Sequence, residues 1–216
     1  MFVYILIMEI YETIYDVFFD RTHKTIYDVL FKQKNLFIDI AMYILSIVFM
    51  AAMANIQIPL WPVPITMQTF GIFTIAFFFG SRKGLVATLS YVLAGIAGFG
   101  VFASFKSGLS VITGATGGYI IGFLVCVFVV GRLIEKGYGR SKTSIFICMA
   151  IGNLIIYAFG LVGLKLFFGS MGLWELLMAG LLPFLIGDTL KIIVAIAMFP
   201  YVWKGSEKLN SQKRRV

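Results

Sequence analysis

Long apolar runs recur along this chain, separated by short polar, glycine-rich or proline-rich connections. Six can be drawn, over residues 36–54, 67–80, 84–99, 112–132, 145–165 and 176–203. A helix that crosses a bilayer needs roughly 17–25 predominantly apolar residues. The first, fourth and fifth runs match that length directly. The second and third are short, so they need residues from the loops beside them or support from neighbouring helices. The sixth is long, and Pro183 divides it into a short lead-in helix and the span proper. The pattern predicts an all-α, polytopic membrane protein with six transmembrane helices.

Charge placement checks the count. Arg21, Lys24, Lys32 and Lys34 precede the first run, and Arg82 and Lys83 join the second to the third. Arg132, Lys136, Arg140 and Lys142 join the fourth to the fifth, and Lys204, Lys208, Lys213, Arg214 and Arg215 follow the sixth. The alternate loops hold only Lys106 and Lys165. By the positive-inside rule both termini are expected in the cytoplasm, which requires an even number of spans.

Three regions follow: an N-terminal extension over residues 1–35, a six-helix domain over 36–204 and a basic cytoplasmic tail over 205–216. Residues 1–8 are apolar but too short to span, and lack a basic start and a small-residue cleavage site. Thr13-Ile14-Tyr15-Asp16-Val17 then recurs as Thr25-Ile26-Tyr27-Asp28-Val29. The mixture of apolar and charged residues fits either an amphipathic helix on the inner membrane surface or a loosely ordered extension. In both cases the extension is expected to lie apart from any ligand site.

Composition agrees with the pattern. The chain is 60% hydrophobic and 13% charged, against roughly 25% charged in a soluble domain. Its net charge of +8 sits in short connections, which speaks for membrane orientation rather than nucleic-acid binding. Cys126 and Cys148 lie in apolar runs without metal-ligand spacing and are expected to be buried thiols with no disulfide. The single histidine, His23, lies in the polar N-terminal stretch. An intramembrane enzyme would need a nucleophile with its base, or clustered acids or metal ligands. With one histidine outside the membrane and one mid-span acid, that class is disfavoured.

That mid-span acid is Asp188, three positions from Lys191 in the last apolar run. A charged group at membrane depth costs roughly 2.5–3.5 kcal/mol on insertion scales. Residues at i and i+3 share a helix face, so the two can neutralise each other and point into one pocket. They form either a ligand site or a structural ion pair; a scaffold protein would give no reason for them. A carboxylate only accepts hydrogen bonds and an ammonium only donates.

The connection after the first run is uncharged and holds Pro59, Pro62 and Pro64, so it is a stiff loop able to wall a pocket. Tyr91 to Ala103 and Gly114 to Tyr119 are glycine-rich, allowing close backbone approach. No Gly-x4-Gly-Lys-Ser/Thr phosphate cradle is present.

These stretches resemble the BioY family, the biotin-binding S components of energy-coupling factor (ECF) transporters. Pro62-Val63-Pro64-Ile65-Thr66-Met67-Gln68 resembles the family's Pro-x-Pro-x-Thr-x-Gln. Tyr91 through Ala103 is similar to its Tyr-Leu-x-x-Gly-x-x-Gly-Leu-Pro-Val-Phe-Ala. Gly114-Ala115-Thr116-Gly117-Gly118-Tyr119 resembles Gly-Pro-Thr-Gly-Gly-Tyr, and Gly187-Asp188-Thr189-Leu190-Lys191 resembles Gly-Asp-x-x-Lys. Gly100 and Ala115 stand where the family usually has proline. The motifs occur in the family's order over residues 37–204.

The resemblance implies a multi-pass protein of the cell membrane with the helical S-component bundle. It implies biotin as transported ligand, no cofactor of its own, and ATP used only by partners: a transmembrane coupling (T) subunit and paired ABC ATPases. It implies capture on the outer face, then tilting of the whole subunit. An S component for a different vitamin is the alternative of the same kind. Asp188 and Lys191 are the expected ligand contacts. Lys106 either meets the ligand's carboxylate or is a solvated loop lysine. Gln68, Tyr91, Phe102, Tyr119 and Asn153 are candidate pocket walls, each with a packing role as its alternative.

Overall fold

The computed structural model describes residues 25–31 and 36–212, which are almost entirely helical. In chain order the helices are α1 (Ile26–Leu30), α2 (Leu36–Asn55), α3 (Gln68–Ile96), α4 (Leu109–Ile112), α5 (Gly117–Glu135), α6 (Lys142–Phe168), α7 (Leu173–Gly180) and α8 (Leu182–Gln212). Between α2 and α3, the two-residue strands β1 (Gln57–Ile58) and β2 (Ile65–Thr66) pair antiparallel, with Gln57 opposite Thr66. Among the described residues five stretches are long and apolar enough to cross a membrane: α2, α3, α5, α6 and the α7–α8 stretch Leu173–Ser206. The protein is therefore a multi-pass membrane protein.

The second and third apolar runs appear within one element, α3, but α3 is not straight. Gly80 inside it has φ 74° and ψ −161°, far from helical values. Gln68 Nε2 lies 2.8 Å from the Tyr91 hydroxyl, whereas 23 residues of continuous helix would separate them by ~34 Å. So α3 is a helical hairpin whose halves, residues 68–79 and 81–96, fold back on each other at Gly80. The first half rises only ~18 Å, short of the ~30 Å hydrocarbon core. Phe70, Ile72, Phe73, Ile75, Ala76, Phe77 and Phe79 are all buried, and a helix apolar on every side belongs inside a protein. Its neighbours α2 and α5 pack against it. The sixth run breaks at Leu181, with Pro183 in the first turn of α8 as expected of that residue. In α2 only 11% of the most apolar stretch is buried; it presents Phe37, Ile44 and Val48 outward, as a lipid-facing helix does.

Among the described residues Lys83, Arg132 and Arg140 lie at one end of the bundle. Lys83, just past the hairpin turn, pairs with Asp39 at the start of α2 (2.6 Å). The Ser81 amide donates to Glu135 at the end of α5 (2.9 Å), and Glu135 pairs with Arg132 (2.7 Å). Glu135 is fully buried. It supplies an anion from another helix to the N-terminus of the second hairpin half, where unpaired amides and the helix dipole favour one. The charge pattern alone assigned Arg132 to a connecting loop and did not reveal this second buried pair.

The N-terminal stretch is described only over residues 25–31. Residues 1–24 and 32–35 lie outside the described residues, including Thr13 to Val17 and His23. Residues 25–31, however, belong to the bundle. Thr25 and Asp28 form a reciprocal capping box that starts α1. Ile26 and Tyr27 are buried, and α1 packs against α8 and α3. The Tyr27 ring stacks on Phe79 at 5.5 Å, its hydroxyl donates to Asp39, and Lys83 Nζ sits 3.9 Å above it. A helix as short as α1 does not hold itself in water; docking of its apolar side holds it. At the other terminus α8 continues to Gln212.

Gly80→Ala tests the hairpin. An added methyl would lie 2.5 Å from Glu135 Oε1 and 2.7 Å from Thr25 Cγ2, at a positive φ. Unfolding in detergent should show a loss above about 1 kcal/mol.

Candidate functional site

At the end opposite the basic connections a cavity of about 110 Å³ opens between the hairpin, α5, α6 and α8. Pro62, Val63, Pro64 and Thr66 of the proline loop border it, as do Ala103, Ser104 and Lys106 of the loop after the hairpin. The proline loop reaches across the bundle: the Trp61 ring meets Phe168 at the end of α6 edge-on, 5.6 Å between centroids. Ile120, Phe123, Ile156 and Phe184 give the cavity apolar walls.

Asp188 and Lys191 border the cavity while being almost wholly buried, 3% and 7% exposed. Their ion pair is 2.7 Å. They do not stand alone. Lys191 Nζ also donates to the Thr66 carbonyl (2.7 Å) and the Thr69 hydroxyl (2.8 Å). Thr69 Oγ1 donates to Asp188 Oδ1 (2.9 Å), and the Tyr157 hydroxyl donates to Asp188 Oδ2. The pair thus ties α8 to the proline loop, the hairpin and α6.

Six of the eight expected site residues line the cavity: Asp188, Lys191, Gln68, Phe102, Lys106 and Tyr119. Gln68 is set by a chain of bonds: Oε1 accepts from Thr66 Oγ1 (3.1 Å), and Nε2 donates to Tyr91 (2.8 Å). Phe102 is also a packing residue. A Cβ on Gly95 would lie 2.2 Å from its ring, so only glycine leaves room for it. Tyr119 spends its hydroxyl on the Gly180 carbonyl (2.7 Å) and turns its ring toward Phe184. Lys106 is exposed at the mouth, and its ammonium makes no ion pair among the described residues.

Two expected walls are not in the lining. Tyr91 is completely buried behind Gln68, and its hydroxyl donates to the Val101 carbonyl (3.2 Å). It holds Gln68 and the loop rather than facing the cavity. Asn153 lies one turn before Ile156 and Tyr157 on α6, outside the lining, with its buried Oδ1 unbonded.

The loop that carries Lys106 is strained. Ser104 and Phe105 both adopt φ near +60°, at 60° and 54°, a region that is costly for side chains of this kind. Asn55, the last residue of α2, holds the turn: its Oδ1 accepts from the Phe105 amide (2.9 Å) and its Nδ2 donates to the Phe102 carbonyl (3.4 Å).

Thr69 and Tyr157 were not among the expected residues. A threonine beside Gln68 and a tyrosine in an apolar helix carry no signal in one sequence; only the fold brings them to Asp188. Thr69→Val should destabilise the protein by about 1–3 kcal/mol in detergent unfolding, because it removes partners from both buried charges. An unchanged stability would show that the network does not support the pair.

Comparisons place this arrangement among known proteins. The BioY family model matches residues 26–208, which includes α1. The biotin transporter BioY of Thermotoga maritima is 38% identical over 143 residues, 66% of this chain and 82% of that protein. A probable biotin transporter BioY of Methanothermobacter thermautotrophicus is 41% identical over 126 residues, 55% of this chain and 80% of that one. The crystal structure of the S component for biotin from an ECF-type ABC transporter superposes with a TM-score of 0.68 at 22% identity, covering 78% of this chain and 92% of that one. With the family model matched across both buried ion pairs, the proline loop and the cavity, the chain belongs to the BioY family.

Proposed function

We propose that this chain captures biotin at the outer face of the cell membrane and serves as the substrate-binding S component of an ECF-type ABC transporter. The relatives named above are biotin transporters, and the superposed structure is a biotin S component. The observation that carries the reading is the cavity itself. It is largely apolar, opens away from the basic end, and has an acid–base pair in its wall and, at its mouth, a lysine with no ion pair among the described residues. Biotin needs that division: its fused ring is compact, its ureido group carries donors and an acceptor, and its tail ends in a carboxylate. Asp188 suits a ureido N–H, and Lys106 suits the carboxylate.

We read the hairpin halves, each continued by the loop at its open end, as two crossings, giving six in all with both termini in the cytoplasm. The basic connections then lie inside and the cavity faces out. Hydrolysis of ATP falls to partner ATPases, coupled through a T subunit, and the chain itself is not an enzyme. Biotin is the transported ligand, not a cofactor.

Calorimetric titration of the detergent-purified protein tests the assignment. Asp188→Asn and Lys191→Ala should each weaken biotin binding about tenfold or more, since hydrogen bonds to charged groups are worth roughly 1.5–3 kcal/mol. Near-wild-type affinity in both variants would reduce the pair to scaffold. Lys106→Gln should weaken biotin several-fold yet leave biotin methyl ester unaffected; an equal loss for both ligands would remove the tail from Lys106.

A further inference from the structure

Each polar atom of the buried pair can be followed to its partner. Lys191 has three N–H groups, and all three are taken, by Asp188 Oδ1, Thr69 Oγ1 and the Thr66 carbonyl. A carboxylate offers about four lone-pair sites. On Asp188, Oδ1 receives Lys191 and Thr69, and Oδ2 receives Tyr157. One site on Oδ2 remains. The Tyr157 proton is committed to Asp188, so toward anything else its oxygen only accepts. Both Tyr157 and Asp188 line the cavity. Tyr91 and Tyr119 spend their hydroxyl protons on backbone carbonyls instead.

We propose that Tyr157 is a specificity-determining residue of this site: with Asp188 Oδ2 it forms an acceptor-only edge that selects a ring N–H of the ligand. This rests on the biotin reading and deepens it. A ureido N–H entering this edge meets lone pairs from two adjacent oxygens. A ring oxygen in the same place meets the same lone pairs and is repelled. The edge therefore rejects a near-isosteric ring that lacks the donor, because a site built for a hydrogen bond discriminates most strongly against the partner that cannot make it. Without Tyr157, one of the two oxygens is gone and Asp188 is free to turn, so the rejection weakens.

The experiment compares biotin with its two cyclic carbamate isomers, in each of which one ureido N–H is replaced by oxygen. Calorimetry on the wild-type protein should show at least one isomer bound about tenfold or more weakly than biotin. In Tyr157→Phe the ratio should fall to below about threefold, mainly because biotin weakens while that carbamate does not. If Tyr157→Phe weakens biotin and carbamate by the same factor, or changes neither, the residue is structural only and the proposal is overturned. The wild-type ranking needs no variant to fold: if both carbamates bind as tightly as biotin, the acceptor edge does not select the ligand. If biotin itself does not bind the wild type, the functional reading falls first and this inference with it.

Discussion

A carboxylate and an ammonium buried in an apolar bundle must be satisfied, and much of the cavity end of this protein is arranged around that requirement. Left unpaired at this depth, either charge would cost several kcal/mol. Paired only with each other, they would leave two ammonium protons and most carboxylate lone pairs without partners. Thr66, Thr69 and Tyr157 supply what is missing. Each comes from a different part of the fold: the proline loop, the first hairpin half and α6. Satisfying two charges thus fixes the relative positions of three elements and α8, and the cavity is the space they leave.

The opposite end solves a similar problem to a different purpose. Arg132 and Glu135 are also buried and also paired. Here Glu135 meets the amide and hydroxyl of Ser81, and α1 packs over the hairpin turn beside them. The basic end is therefore filled, with Gly80 leaving no room even for a methyl group. The opposite end holds the cavity. Among the described residues the bundle is filled at one end and hollow at the other.

Much of this was legible in the sequence, for physical reasons that differ from residue to residue. Asp188 and Lys191 stood out because charge in an apolar run is rare and expensive. The proline loop stood out because three prolines in an uncharged connection restrict the backbone. The hairpin was legible as two short runs flanking Arg82 and Lys83, though its half-length helices are intelligible only once neighbouring helices surround them. Thr69 and Tyr157 were not legible, since hydroxyls are common in membrane helices and their importance arises from contacts between residues 119 and 31 positions apart. Glu135 was hidden by its place at a helix end, where a carboxylate ordinarily meets solvent. Asn153 and Tyr91 were expected as pocket walls, yet lie one layer behind the cavity wall. Docking of α1 escaped notice because a five-residue helix has too little pattern to show which side is buried.

The most direct measurement is a thermal-shift panel on the detergent-purified protein with biotin, thiamine and riboflavin at equal concentration. A ligand that binds only the folded state raises the melting temperature in proportion to its occupancy. A rise with biotin alone is the result that this account predicts. A rise with another vitamin, or none with biotin, would contradict it.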